Sequence, residues 1–226
     1  MILGVYGAGG LGREVYELAL DVNKIEKKWD EFLFIDDAEE LSGTEIYGLS
    51  VMKFDDFKGK YSTEKAEIVI AVGEPRIRAL LRKKVKDEGY SLGILVHPLT
   101  RLSRWARIEE GAIITYGCNV SCDTHVKSNA FLQPSCGLGH DTCVGEDSVI
   151  SACARIAGGA TVGERVYVGM NAAVKEGTTI GNDVIIGMAS VVHNSIADGL
   201  IVMGNPARPM RKNENHRVFG HPEKTK

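Results

Sequence analysis

Aliphatic residues recur at every sixth position from Leu102 through Ile108, Ile114 and Val120 to Ile186 and Val192, sixteen in all, without a slip. Four places after each stands a residue that is mostly small, such as Ala112, Cys118, Thr124, Ala130, Cys136 and Ala154. Glycine often follows the aliphatic position directly, as at Gly139, Gly145, Gly163, Gly169, Gly181 and Gly187. A period of six fits neither the helical 3.6 nor the simple strand alternation of two. It is the signature of a β-helix solenoid. Each unit makes one flat face whose aliphatic side chain enters a narrow core, with the small residue near a corner. One coil cannot bury these positions, so stacked coils supply the core for one another.

The first 97 residues follow another pattern. Ile2–Tyr6 is a short apolar run that ends in Gly7-Ala8-Gly9-Gly10-Leu11-Gly12. Val15, Leu18, Ala19 and Val22 then fall at helical spacing and predict a helix over residues 13–22. Residues 32–35 and 68–72 read as strands, the first followed at once by Asp36-Asp37. A further helix opens at Pro75 and stops near Gly89, and residues 92–96 read as a fourth strand. This alternation predicts a small α/β sheet of the Rossmann type. The expected organisation is therefore an α/β domain over residues 1–97, a β-helix over 98–208 and a C-terminal tail over 209–226.

Composition changes this picture little. Hydrophobic residues make up 44% and charged residues 25%, and the net charge is −3. That balance gives no reason to expect nucleic acid as a partner, and no apolar run approaches the roughly 20 residues of a membrane span. With no basic, uninterrupted leader at the N-terminus and an odd count of five cysteines, a cytoplasmic protein with reduced thiols is expected. Cys118 and Cys122 have no matching Cys or His pair at zinc-ribbon spacing, so no metal is expected. Cys118 and Cys136 fall at the small inward position and read as core, and Cys143 as a flanking residue rather than a nucleophile.

Two stretches carry candidate chemistry. The glycine loop lies after a strand and before a helix, with acids at the end of the next strand, a pattern suited to phosphate at a helix N-terminus. The domain is only about half the size of a doubled dinucleotide unit, so a nucleotide sugar fits better than NAD. The second stretch is Gly139-His140-Asp141. His140 is third in its hexad, at a predicted corner, and should project outward beside a carboxylate. His97, His125, His193, His216 and His221 lack that combination, the last two lying in a tail that reads as mobile. Imidazole gains and loses a proton near neutral pH, so His140 is the candidate general base and Asp141 the group that orients it.

Taken in order, the glycine loop, Asp36-Asp37, Ala71-Val72-Gly73, Gly139-His140-Asp141, the hexads and Gly204-Asn205-Pro206-Ala207-Arg208 resemble the sialic acid O-acetyltransferase family of hexapeptide-repeat acyltransferases. The likeness is strongest to the bacterial N-acetyltransferases that act on nucleotide-linked 4-amino sugars. It implies a Rossmann-like domain followed by a left-handed parallel β-helix, a homotrimer with sites between subunits, and acetyl-CoA as cosubstrate. It implies that Gly9, Gly10, Leu11, Asp36, Asp37 and Gly73 hold the nucleotide sugar, with His140 and Asp141 catalytic. Gly158, Met170, Gly187 and Met188 match positions along the CoA arm. Two positions depart from the pattern: Gln133 stands where some relatives place Asn near the substrate amine, and Val149 where some place His against the CoA arm. The expected reaction is direct acetyl transfer to the amine. O-acetylation of a sugar such as sialic acid is the alternative, with a zinc hydratase or a non-enzymatic scaffold further off. Arg155, Arg165, Lys175, Arg208, Arg211 and Lys212 are candidates for the CoA phosphates.

Overall fold

The computed structural model describes residues 1–219. The α/β domain carries six strands, β1 (Ile2–Tyr6), β2 (Glu31–Ile35), β3 (Glu45–Ile46), β4 (Leu49–Met52), β5 (Ala66–Ile70) and β6 (Ser91–Leu92). They form one sheet in the order β3-β4-β2-β1-β5-β6, parallel except at the β3–β4 hairpin. Three helices join them, α1 (Gly10–Glu26), α2 (Phe54–Lys60) and α3 (Pro75–Asp87). Helix α1 starts three residues earlier than its apolar spacing predicts, because the end of the glycine loop already forms its first turn. Gly12 makes this possible: a Cβ there would lie 1.9 Å from the Gly7 carbonyl oxygen. Val15, Leu18, Ala19 and Val22 are the buried face, as their spacing predicts.

The strand expected over 68–72 lies two residues earlier. That expected over 92–96 divides in two, Ser91–Leu92 ending the α/β sheet while Leu95–Val96 pairs with Ile113–Ile114 in the solenoid. The aliphatic rungs thus begin at Val96, one hexad before Leu102. The solenoid has three faces of two-residue parallel strands, each strand pairing with the one 18 residues on, as Gly137–Leu138 does with Arg155–Ile156. It is a left-handed parallel β-helix. The predicted aliphatic and small positions form one core cluster. Leu102 is the exception at 38% exposure, because its strand ends its sheet and has a neighbour on one side only.

At every corner from Gly111 to Ala189, the third residue after the aliphatic one has positive φ. Glycine, Asp and Asn fill most of these sites, the residues that adopt the left-handed region at least cost. The last coil is two residues short, Ile185 pairing with Ile201. There the chain leaves the repeat through the strand Leu200–Met203 and an antiparallel partner, Arg208–Lys212.

The α/β domain packs on the first face of the solenoid. The outward residues of that face, Leu95, Ile113, Phe131 and Val149, share a core cluster with Val15, Leu18 and Phe34. Arg78 of α3 fixes this joint from a fully buried position. Its guanidinium donates to the Ile70 and Val72 carbonyls at 2.6 and 3.0 Å and to the Asn129 carbonyl and side-chain oxygens at 2.5 and 2.8 Å. Its plane also lies over the Phe131 ring. Burial pulls its pKa down to about 10, although the charge of Asp147 opposes this. Asp147, itself buried, accepts from Asn129 and from Arg82, so the cation sits in a closed polar network.

The tail departs from expectation. Asn213 is buried, its amide donating to the Gly199 carbonyl and its Nδ2 to the Asp183 carbonyl. Residues 214–219 then return to the α/β domain, where the Glu74 carboxylate accepts from the Val218 and Phe219 amides. His216 is tied by its Nδ1 to Asp183 at 3.2 Å. His221 lies outside the described residues.

Candidate active site

The Gly139–Asp141 corner is pinned from both neighbouring coils. Gly139 N–H donates to the Ile156 carbonyl, Asp141 N–H to the Cys122 carbonyl, and Gly159 N–H to the His140 carbonyl. Thr124 and Thr142 hydroxyls both donate to the Gly139 carbonyl. The backbone therefore has little freedom, while the side chains of His140 and Asp141 stay exposed. His140 Nδ1 lies 2.7 Å from Asp141 Oδ2. A neutral ring that donates from Nδ1 keeps its Nε2 lone pair for another proton. Gly158, on the same corner one coil on, is part of this geometry. A Cβ there would meet both Cε1 and Nε2 of His140 at 2.7 Å.

The other histidines are engaged differently. His125 holds Glu109 at 2.6 Å through Nε2, its outer nitrogen, on a flat face. His97 lies beside Asp21 and edge-on to Tyr116. Among the described residues no group of His, Cys, Asp and Glu is arranged to hold a metal, and no helix is long and apolar enough to cross a membrane.

Around the glycine loop, the two acids have separate structural ties. Asp36 accepts from the Ala8 and Ala38 amides at 2.9 and 3.0 Å, fixing the loop to the end of β2. Asp37 accepts from the Phe54 amide at the start of α2, from the Tyr6 hydroxyl and from Lys84. Burial raises its pKa, yet these bonds, led by Lys84, hold it below the usual carboxylate range. Burial and the adjacent Asp37 push the Tyr6 phenol upward. Gly10, Leu11 and Gly73 line a cleft of about 900 Å³ with Val72, Arg76, Ile77, Leu80, His216, Arg217 and Phe219. Gly9 stands beside it as the residue before α1. Neither Lys84 nor Tyr6 was marked by any sequence pattern.

The CoA-arm positions are dispersed. Met170 and Met188 are exposed on the edge between the first and second faces, whereas His140 and Gly158 stand on the edge between the second and third. Gly187 lies under Met203. Val149 does not meet the expectation placed on it. Its side chain is fully buried in the joint with the α/β domain, because every outward residue of that face is covered. Gln133 is half-buried and accepts from the Ala152 amide at 3.3 Å. Arg165 is committed to Asp183 and Glu164, which raise its pKa.

Comparison with known proteins follows this geometry. Residues 3–85 match the PglD N-terminal domain. No curated protein sequence matches significantly. A variant of GDP-perosamine N-acetyltransferase from Caulobacter crescentus, in complex with CoA and GDP-perosamine, is 25% identical with a TM-score of 0.85, over 94% of this chain and 98% of that one. The acetyltransferase domain of PglB from Neisseria gonorrhoeae, in complex with acetyl coenzyme A, is 29% identical with a TM-score of 0.66, over 92% and 98%. WeeI from Acinetobacter baumannii is 29% identical with a TM-score of 0.60, over 93% and 100%. These likenesses span both domains and the joint between them, and with them the protein is an acetyltransferase enzyme.

Proposed function

We propose that the enzyme transfers the acetyl group of acetyl-CoA to the amino group of a nucleotide-linked amino sugar. The observation that carries this reading is the His140–Asp141 pair, held at 2.7 Å on a pinned corner with Nε2 turned outward. The nucleotide part rests on the cleft at the glycine loop and on the sugar-nucleotide complex of the Caulobacter relative.

The neutral amine attacks the thioester carbonyl, forming the C–N bond while His140 Nε2 takes a proton from nitrogen. Asp141 keeps the tautomer and stabilises the imidazolium as it forms. The tetrahedral adduct then collapses, the C–S bond breaks, and the CoA thiolate leaves with the proton that His140 returns. Acetyl-CoA is consumed as a cosubstrate, and no metal takes part.

The edge that carries His140 is opposite the face that carries the α/β domain. A substrate held by one chain's domain therefore meets the histidine of a neighbouring chain, and a homotrimer places each site between subunits. The enzyme works in the cytoplasm, where its free cysteines stay reduced.

The test is a panel of UDP-, GDP- and dTDP-linked 4-amino sugars against the corresponding free sugars. Thiol release from acetyl-CoA is expected with at least one nucleotide-linked amine and with none of the free sugars. Stabilisation of the protein by CoA alone, with no response to any nucleotide sugar, would overturn the reading.

A further inference from the structure

The cleft over the glycine loop has two walls of different origin. One is the start of α3, with Arg76, Ile77 and Leu80; the other comes from the far end of the chain, with His216, Arg217 and Phe219. This second wall is held from both domains. On the solenoid side, Asn213 and His216 are fixed to residues 183 and 199. On the α/β side, the Glu74 carboxylate takes the Val218 amide at 3.0 Å and the Phe219 amide at 3.1 Å. Arg76 also donates to the Asn215 carbonyl at 3.4 Å. Phe219 packs edge-on against Tyr167 at 5.5 Å between ring centres and lies beside Gly73, where a Cβ would stand 3.6 Å from the ring.

So fixed, Phe219 still leaves half of its surface open. Arg76 and Arg217 line the same space, and among the described residues neither is paired with a carboxylate. The negative charge of Glu74 is turned to the segment's amides. An open aromatic ring with two guanidinium groups beside a helix N-terminus has the chemistry of a nucleoside diphosphate site: the ring takes the base and the cations take the phosphates.

We propose that segment 213–219 is part of the substrate site, with Phe219 stacking on the base and Arg217 and Arg76 holding the diphosphate. This deepens the nucleotide-sugar reading above and rests on it. The consequence is that the chain's own C-terminal segment contributes to the choice of nucleotide.

The experiment is calorimetric titration of UDP, GDP and dTDP, with CoA as control, into the wild-type protein and its Phe219→Ala, Arg217→Ala and Glu74→Ala variants. Phe219→Ala is expected to weaken the preferred nucleotide at least about tenfold, within the range of base–aromatic stacking, with CoA affinity unchanged. Glu74→Ala removes the anchor but neither ligand group, and is expected to act in the same direction. Unchanged or tighter nucleotide binding in both variants would overturn the proposal, the latter marking the segment as a plug. A wild-type protein that binds CoA but none of the three nucleotides would instead overturn the nucleotide-sugar reading itself.

Discussion

In the solenoid, a methyl group added at Gly158 would meet the imidazole of His140 at 2.7 Å; in the α/β domain, one added at Gly12 would meet the carbonyl oxygen of Gly7 at 1.9 Å. The first obstacle is an exposed ring that can swing aside. The second is the backbone at the pivot between β1 and α1, where nothing can swing. The repeat thus holds its reactive group as an addition to a corner that folds without it. The α/β domain builds its loop from atoms that also hold its sheet and helix together.

Three measurements separate these two situations. The largest effect is expected from His140→Ala, which should lower kcat by about 10²–10⁴, roughly 3–5.5 kcal/mol of barrier. The Michaelis constant for the nucleotide sugar and the thermal unfolding midpoint should barely move, and a near-normal turnover number would remove His140 from the mechanism. Next, Gly12→Ala should lower stability by about 3 kcal/mol, the upper part of the range for overpacking, read as a drop of several degrees in the unfolding midpoint. A smaller effect is expected from Gly158→Ala. Turnover should fall about tenfold, equivalent to about 1.4 kcal/mol, because the ring must leave its place beside Asp141, while the unfolding midpoint stays close to wild type. If Gly158→Ala instead lost stability as Gly12→Ala does, the distinction between an added group and an integral one would fail.

The solenoid was legible in the sequence because one steric rule recurs at Leu102, Ile108, Ile114 and onward, so each hexad repeats the signal of the last. The same rows held a second signal that the aliphatic spacing hid. Leu95, Ile113, Phe131, Val149, Tyr167 and Ile185 are apolar at the outward position of every third hexad. Those 18-residue steps mark the face where the α/β domain docks. Reading them would have placed Val149 in the joint rather than beside CoA. His140 and Asp141 were legible because a corner makes a side chain project, whatever its identity.

Other parts left little trace. Hairpin β3–β4 turns on Tyr47-Gly48, both with positive φ, the backbone of a two-residue turn, but tyrosine does not advertise that conformation. Helix α2 is seven residues long with two buried phenylalanines, too short to show a period. Arg78 is one of several cations on α3, and only the fold distinguishes it by burying it. The return of residues 213–219 depends on Glu74, a partner roughly 140 residues away, and no local pattern encodes that distance.

The left-handed corner beneath Asp141 recurs 18 residues earlier at Asp123 and 18 residues later at Gly159. The coil below therefore carries Cys122-Asp123 on the same edge, and the coil above carries Gly158-Gly159. Along this edge the scaffold is a ladder of equivalent addresses, spaced by the separation of neighbouring strands, about 4.8 Å. Where the reaction happens is thus a matter of which rung bears the imidazole. Lineages building on this fold can slide their chemistry up or down in discrete steps without redesigning the column that carries it.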